Sequence, residues 1–404
     1  MVLRSILKRH FVVFEDDALS RIHGVDVYHG LIVRLRWQLR AVGYDVLKIP
    51  FKYGKMTAFS SLCLLLFIAF TGYTVVLHWG DWFQVIDTLS LLGMGSSSVA
   101  KALTGLLNYE YYQKNYRILT ALYRSNDKHK DNNRRLVYWG MLITYYYRFF
   151  LVISVSGGFG FVLTPVFTYF WYNERMLIIN LHIPGVDTVT RTGFMITTLF
   201  HLVLIFMAVA GILAADLGCI IVVGHVAGIA DVFKNALNEL DQLTKQKCDE
   251  RVDDSIHRKV LQICVMHQEI ISYEEELDEN YGVTVFVQVL SSIACVALSL
   301  FNFYMTYNIG ALTFLVYAFF QLFQYCVLGT VLTIKNDEIM IALYDTYWYK
   351  LTNTEQKMIG YMLHRSQNAV EMTIGGISLL NMETFVEIVK TIYSYSAMLV
   401  QFLD

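Results

Sequence analysis

Near the C-terminus, Glu383, Glu387, Lys390, Ser394 and Gln401 follow one another at steps of four, three, four and seven. That 3.5-residue repeat gathers all five on one face of a helix. Phe385, Ile388, Val389, Ile392 and Leu399 take the opposite face. The segment that carries them is apolar enough to lie in a membrane, where a charge at mid-bilayer costs roughly 2.5–3.5 kcal/mol on insertion scales. Such a stripe needs water or polar partners. A water-filled axis shared by several chains supplies them, and the chemistry is then ion conduction, with Glu383 and Glu387 favouring cations. Packing against other helices of the same chain, or a Glu387–Lys390 pair along the helix, supplies them too. One helix cannot enclose a conduit, so conduction requires an oligomer.

A different set suits a small apolar ligand, which needs an apolar cavity with few polar groups. In the run Ser154-Val-Ser-Gly-Gly-Phe-Gly-Phe161, the residues Ser154, Gly157 and Phe161 share a helix face at i, i+3 and i+7. The glycines leave room, Ser154 offers one hydrogen bond and Phe161 a wall. Close helix packing by small residues explains the same pattern. Phe314, Tyr317, Phe320 and Gln321 form an aromatic face that could stack on a ring-bearing ligand. Leu89, Leu92 and His201 are further candidates for the lining, with Tyr145, Tyr146 and Tyr147 as its floor. A lone histidine in an apolar stretch is, however, more often a satisfied core residue than a ligand contact.

Lys101, Arg148 and Asp216 also fall in apolar stretches, where ionised groups are expensive unless paired or near an interface. Arg148 is a candidate partner of Asp216, and Lys101 is expected to snorkel toward the cytoplasmic face. A polytopic transporter would use such in-membrane charges and is the alternative function. Transporters usually show internal repeats and helices broken by Gly or Pro. No repeat is evident here, and an odd number of spans does not halve. An enzyme fares worse: histidines are scattered, neither HExxH nor CxxC occurs, and no metal or other cofactor is expected.

Long apolar helices must carry these groups, and the composition supplies them. Of 404 residues, 55% are hydrophobic, 15% aromatic and 16% charged, with three prolines and a mean hydropathy of +0.45. A soluble domain carries about a quarter charged residues, so a disordered chain is excluded and an ordinary soluble enzyme disfavoured. A net charge of −2 leaves no basic footprint for nucleic acid. Stretches of about 20 apolar residues mark spans, and seven emerge: Met56–Trp79, Trp82–Leu107, Leu136–Phe167, Phe194–Gly228, Val283–Tyr304, Ala311–Ile334 and Gly376–Phe402. The expected fold is an all-α membrane protein of seven transmembrane helices, surrounded by lipid. None of the six cysteines falls in an outside loop, so no structural disulfide is expected.

Lys and Arg crowd residues 1–55 and 108–135, and most of the rest lie in 229–280 and 335–375; the alternate loops hold only Arg175 and Arg191. Cytoplasmic loops are the Lys/Arg-rich ones, which puts the N-terminus inside and the C-terminus outside. The chain then divides into a cytoplasmic segment (1–55), transmembrane helices one to four (56–228), a cytoplasmic helical extension (229–282), helices five and six (283–334), a cytoplasmic helical anchor (335–375) and a pore-lining helix seven (376–404). Within the extension, Val260, Ile263, Cys264, His267, Ile270 and Ile271 make one helical face. Glu274, Glu275, Glu276, Asp278 and Glu279 are expected on the other, in either a solvated hairpin or a packed assembly domain. The orientation is the reverse of a G-protein-coupled receptor's. No acidic-Arg-aromatic triplet or Asn-Pro-x-x-Tyr motif is present, so no G protein is required.

Residues Tyr344 to Leu399 resemble the insect odorant receptor family. The family pattern runs Trp-Tyr, Arg-x-Gln, a Gly pair, Phe-x-x-x-x-Lys and Tyr-Ser. It is matched by Trp348-Tyr349, Arg365 with Gln367, Gly375-Gly376, Phe385 with Lys390, and Tyr393-Ser394, while Ala369 stands where proline is common. The stretch around His267 and Glu276 is similar too. The resemblance implies a heterotetrameric ligand-gated cation channel of the olfactory neuron plasma membrane. A small volatile odorant, bound in the outer half of the bundle, would open a pore lined by helix seven of each subunit. The family's shared co-receptor has a much longer segment between spans four and five, so this chain resembles an odorant-tuning subunit whose co-receptor supplies the other subunits. The spacing of Ser154, Gly157 and Phe161 is that of the family's odorant pocket. Met398 stands at the family's hydrophobic gate, with Gln401 on its outer side. A ring of apolar side chains gates by dewetting, although methionine also fills plain packing gaps.

Overall fold

The structure is a computed structural model and describes residues 22–173, 175–245, 250–306 and 309–401. The basic residues Arg4, Lys8, Arg9 and Arg21, together with Cys248 and residues 402–404, lie outside those ranges. Ten α-helices account for most of the described chain. They are α1 (Gly24–Val42), α2 (Lys55–Leu77), α3 (Trp82–Leu107), α4 (Tyr109–Asn126), α5 (Lys130–Tyr172), α6 (Arg191–Lys245), α7 (Glu250–Thr306), α8 (Ile309–Asp345), α9 (Asn353–Ser366) and α10 (Met382–Gln401). A short 3-10 turn, Trp348–Lys350, precedes α9, and no strand occurs among the described residues beyond one isolated Thr373–Leu379 bridge.

Among the described residues five helices, α2, α5, α6, α7 and α8, are long and apolar enough to cross a membrane. The other two stretches read as spans are also helical. They are more polar: α3 holds Asp87 and Lys101, and α10 holds Glu383, Glu387 and Lys390. The packing of α2 is that of a helix in lipid. Its buried residues are Thr57, Ser60, Cys63, Thr71 and Thr74, while Leu62, Leu65 and Val76 are exposed. Small and polar groups face the bundle and leucines face out, because lipid is as apolar as a leucine interior and only packing and hydrogen bonding select a face. By contrast, α6 is the central post. From Ile212 to Ala230 nearly every residue is buried, as expected of a helix apolar all round.

The long helices α6 and α7 have 55 and 57 residues. At 1.5 Å per residue each exceeds twice the roughly 30 Å hydrocarbon core. Their ends beyond the spans join α8 and α9 in a second core. There Phe233, Leu237, Val260, Ile263, Leu343 and Ile359 are almost wholly buried. Val260, Ile263, His267 and Ile270, four residues of the expected face, turn into this core, whereas Ile271 is only half-buried. The acids opposite are not simply solvated. Glu276 pairs with Lys114 and Glu275 with Arg365, each at 2.5 Å; Asp278 accepts from Thr373. Glu274 is buried outright.

The chain enters α10 through Gly375 and Gly376, both in the left-handed region at φ 60° and 77°, a conformation that glycine adopts without steric cost. The turn lets Leu380 lie against α8, where a Cβ on Gly329 would stand 1.8 Å from the Leu380 carbonyl oxygen.

Candidate functional site

A cavity of about 230 Å³ runs between α1, α2, α3, α5, α6 and α8, with Tyr112 of α4 and Tyr281 of α7 also in its wall. Ser154, Gly157 and Phe161 of α5 reach it, as do Phe314 and Tyr317 of α8. The two phenylalanine rings meet at 4.3 Å between centroids. The three glycines of the α5 run have different neighbours. A Cβ on Gly158 would stand 3.2 Å from Val209, and one on Gly160 would stand 3.3 Å from Thr313, so both sit at close helix contacts. On Gly157 it would meet only Tyr317, at 3.6 Å, so the space beside it belongs to the cavity. Ser154 Oγ is buried without a geometrically sound hydrogen bond, although it lies close enough to the Tyr317 hydroxyl to interact with it.

Four residues expected in the lining lie outside it. Leu89 and Leu92 are replaced by the neighbouring face of α3, where Leu91, Met94, Gly95 and Ser98 line the cavity and Leu92 is exposed. Phe320 packs instead against Phe149, Phe150 and Phe323, stacked on Phe150 and edge-on to Phe149. His201 is fully buried, and its Nε2 donates to the Leu181 carbonyl at 3.0 Å. It therefore holds the segment that covers the cavity. In that segment Ile179 faces the cavity, Asn180 Nδ2 donates to Gln84 and Thr88, and the His182 N–H donates to Thr74. Tyr145, Tyr146 and Tyr147 also lie off the cavity, whose deep end is formed by Tyr112, Tyr281 and Tyr325. The missed α3 face has a sequence signal: Gly95 and Ser98 are small residues at the i, i+3 spacing of tight helix packing.

Asp216 pairs with Lys101 at 2.7 Å, both side chains being almost completely buried. This corrects the candidate Arg148–Asp216 pair and the expected snorkelling of Lys101. Arg148 is exposed and lies over the Tyr145 ring at 6.0 Å. Asp216 also accepts from Tyr325 at 2.8 Å and from Gln321 at 3.0 Å. A buried ion pair persists only with such supporting hydrogen bonds. With Lys101 and Asp216 satisfied by each other, the charges that a transporter would use are engaged.

Helix α10 packs on α7 and α8. Phe385 and Ile392 are buried, and Ile388 and Val389 partly so, while Glu383, Glu387, Lys390, Ser394 and Met398 are exposed. Gln401 ends the helix, and its side chain lies outside the described residues. Ile392 packs in the same apolar cluster as the cavity-lining Leu91 and Phe314, and an aromatic link joins α10 to the cavity helix α8. Phe319 and Phe323, on the α8 surface away from the lining, meet the Phe385 ring at 5.3 and 5.6 Å. Among the described residues no cluster of three His, Cys, Asp or Glu is placed to hold a metal.

Residues 83–393 match the model of the 7tm odorant receptor family. The chain is 23% identical to a putative odorant receptor 83c of Drosophila melanogaster, over 89% of this chain and 93% of that one. It is 23% identical to odorant receptor 22a of the same species, over 98% of each. A 24% identical match to the odorant receptor coreceptor of Aedes aegypti is confined to 33% of this chain and 29% of that one. The fold is similar to the insect olfactory receptor OR5 from Machilis hrabei in complex with eugenol, with a TM-score of 0.73 and 14% identity over 93% of this chain and 100% of that one.

Proposed function

Since this chain belongs to the 7tm odorant receptor family, we propose that it is the odorant-tuning subunit of a heterotetrameric cation channel. A receptor of this family is a multi-pass membrane protein and not an enzyme. In the proposed arrangement the plasma membrane holds seven spans (α2, α3, α5, α6, α7, α8 and α10), with the N-terminus inside and the C-terminus outside. The ends of α6, α7 and α8, with α9, form a cytoplasmic anchor. A co-receptor supplies the remaining subunits, and α10 of each lines the pore. The observation that carries the reading is the position of α8. Phe314 and Tyr317 enter the cavity from one side of it, and Phe319 and Phe323 grip Phe385 of α10 from another. A ligand that displaces the first pair moves the helix that holds the second. The exposed polar face of α10 supports a shared conduit, because its own chain leaves it uncovered. Met398 is the proposed gate, with Gln401 outside it.

Currents from cells expressing the chain with and without a co-receptor, challenged with a panel of volatiles, test this reading. Odorant-evoked cation current only in the pair is expected. No current with any volatile, in a complex that a co-receptor agonist still opens, would remove it. An epitope tag after Asp404 should label on intact cells, and labelling only after permeabilisation would invert the topology. Cysteine at Met398 should be blocked by thiol reagents from outside, and cysteine at Val389 should not.

A further inference from the structure

We propose that the ligand this receptor takes is a neutral molecule of about nine heavy atoms bearing one hydrogen-bond-accepting oxygen, a ketone or aldehyde, which Tyr317 recognises as donor. The inference rests on the reading of the cavity as the odorant site. An apolar cavity of about 150 Å³ takes up benzene; the 230 Å³ here suits a molecule roughly half as large again.

The chemistry follows from a chain of hydrogen bonds behind the wall. Lys101 Nζ donates to Asp216 Oδ1, and Asp216 accepts from Tyr325 and from Gln321 Nε2 as well. An ionised carboxylate only accepts, so the amide atom of Gln321 that faces it must be the nitrogen. The same Nε2 lies 2.8 Å from the Tyr317 hydroxyl. Both amide hydrogens are thereby used, and Tyr317 Oη is held as an acceptor. Its own proton is left for donation, and the only acceptor beside it among the described residues is the buried Ser154 Oγ, which makes no hydrogen bond of sound geometry. The cavity thus presents a positioned donor at an apolar wall. Ser154 is a second donor within reach of the same oxygen.

Other ligand classes meet an obstacle. A carboxylate would compete with Asp216 for Lys101 and place two anions on one buried cation. An amine would face Lys101 itself. A hydrocarbon leaves the Tyr317 proton only the poorly aligned Ser154 Oγ. The unpaired acceptors nearby, Gln288 Oε1 and Gln321 Oε1, belong to residues of a separate chamber of about 20 Å³ that shares Tyr317 and Lys101 as wall. It has room for about one water and none for a ligand. Tyr317 is therefore the specificity-determining contact, and Gln321, with the Lys101–Asp216 pair, is a positioning residue.

Matched ligands of equal size test this. Acetophenone and α-methylstyrene differ only in an oxygen replaced by methylene, as do octanal and terminal nonene. Benzoate and phenethylamine supply the charged classes. The complex with co-receptor should respond to a carbonyl ligand at a concentration about tenfold below its methylene partner. Tyr317→Phe keeps the ring and removes the donor. It should weaken the carbonyl response about three- to tenfold, the range for one neutral hydrogen bond, and leave the methylene response in place. Gln321→Leu should shrink the same ratio at unchanged surface expression, a readout that a merely structural role would not move. Activation confined to hydrocarbons, acids or amines, or a ratio untouched by Tyr317→Phe, overturns the inference and leaves the receptor reading standing. Silence toward every volatile, while a co-receptor agonist still opens the complex, overturns both.

Discussion

The helix α6 passes through two different surroundings. In its span, Leu204, Met207 and Ile212 look into a cavity walled in part by aromatic rings and by the segment around Ile179. Below, Phe233, Leu237 and Leu240 are locked against α7, α8 and α9 with at most 1% exposure. One region keeps an unfilled volume and a hydroxyl without a sound hydrogen bond; the other buries its apolar side chains and pairs most of its acids. The void is the proposed odorant site, and the solid core holds helices of one chain together. A protein that binds and then moves draws its mobile parts from the less stable regions, and here the division falls along single continuous helices.

The largest test of that contrast is a cut into the solid half. Phe233 is fully buried, and its ring lies 5.7 Å from that of His267. Phe233→Ala should destabilise the subunit by about 3–5 kcal/mol and abolish surface expression. Met207→Ala, beside the existing void, should cost nearer the lower end of the roughly 2–5 kcal/mol range for such truncations. Thermal unfolding of the purified complex compares them, and equal costs would erase the distinction. The same burial changes how Ile263 is read. Of the two readings open to its helical face, a solvated hairpin or a packed domain, burial favours the second, and places it within its own subunit's core, where its exposure is 0%.

The second test is pH. Burial pushes the Glu274 carboxyl up to about 8 from its ordinary 4.5, with Asn336 pulling weakly the other way. The fold therefore holds a proton that the unfolded chain releases between those values. Its stabilisation is complete below the ordinary pKa and is lost as pH rises through about 8. Glu274→Gln should leave stability nearly unchanged at low pH and raise it by a few kcal/mol near pH 8, because a tenfold difference in proton affinity is worth about 1.4 kcal/mol. Parallel wild-type and variant profiles of melting temperature against pH would show that Glu274 is solvated.

Third comes the cavity itself. Leucine at Gly157 would carry its side chain past the 3.6 Å gap toward Tyr317. Gly157→Leu should weaken the best odorant's potency by at least about tenfold, with the melting temperature and the response to a co-receptor agonist preserved. An unmoved dose–response curve would assign Gly157 to packing, with Gly158 and Gly160.

Much of this is legible in the sequence because period and charge are local. The seven helical stretches, the continuation of α6 and α7 beyond their spans, and the opposed faces of α10 follow from spacing alone. The misplaced residues of α3 share one cause. Both Leu89–Leu92 and Leu91–Met94 are apolar, and hydrophobic contrast does not orient a helix whose outer solvent is lipid. Small residues do, and they point to the observed face. His201 and Asp216 depart from expectation for a different reason. Their partners, Leu181 and Lys101, are set by tertiary packing, and no spacing rule reaches across 20 or 115 positions.

The smallest expected effect belongs to the surface of the solid half. Arg365, one of the residues by which the sequence resembles its family, pairs with Glu275 at 2.5 Å, and the two side chains are 44% and 53% exposed. Exposed pairs contribute about 0–1 kcal/mol and are screened by salt. Arg365→Ala should therefore shift stability by less than about 1 kcal/mol at low ionic strength and by nothing measurable at high salt. The lost guanidinium also leaves His267, held down to about 4 by burial and then by the Arg365 charge, slightly easier to protonate. A loss comparable to Phe233→Ala, unrelieved by salt, would mean that Arg365 is an anchor contact to another subunit, and the solid half would then extend across the assembly.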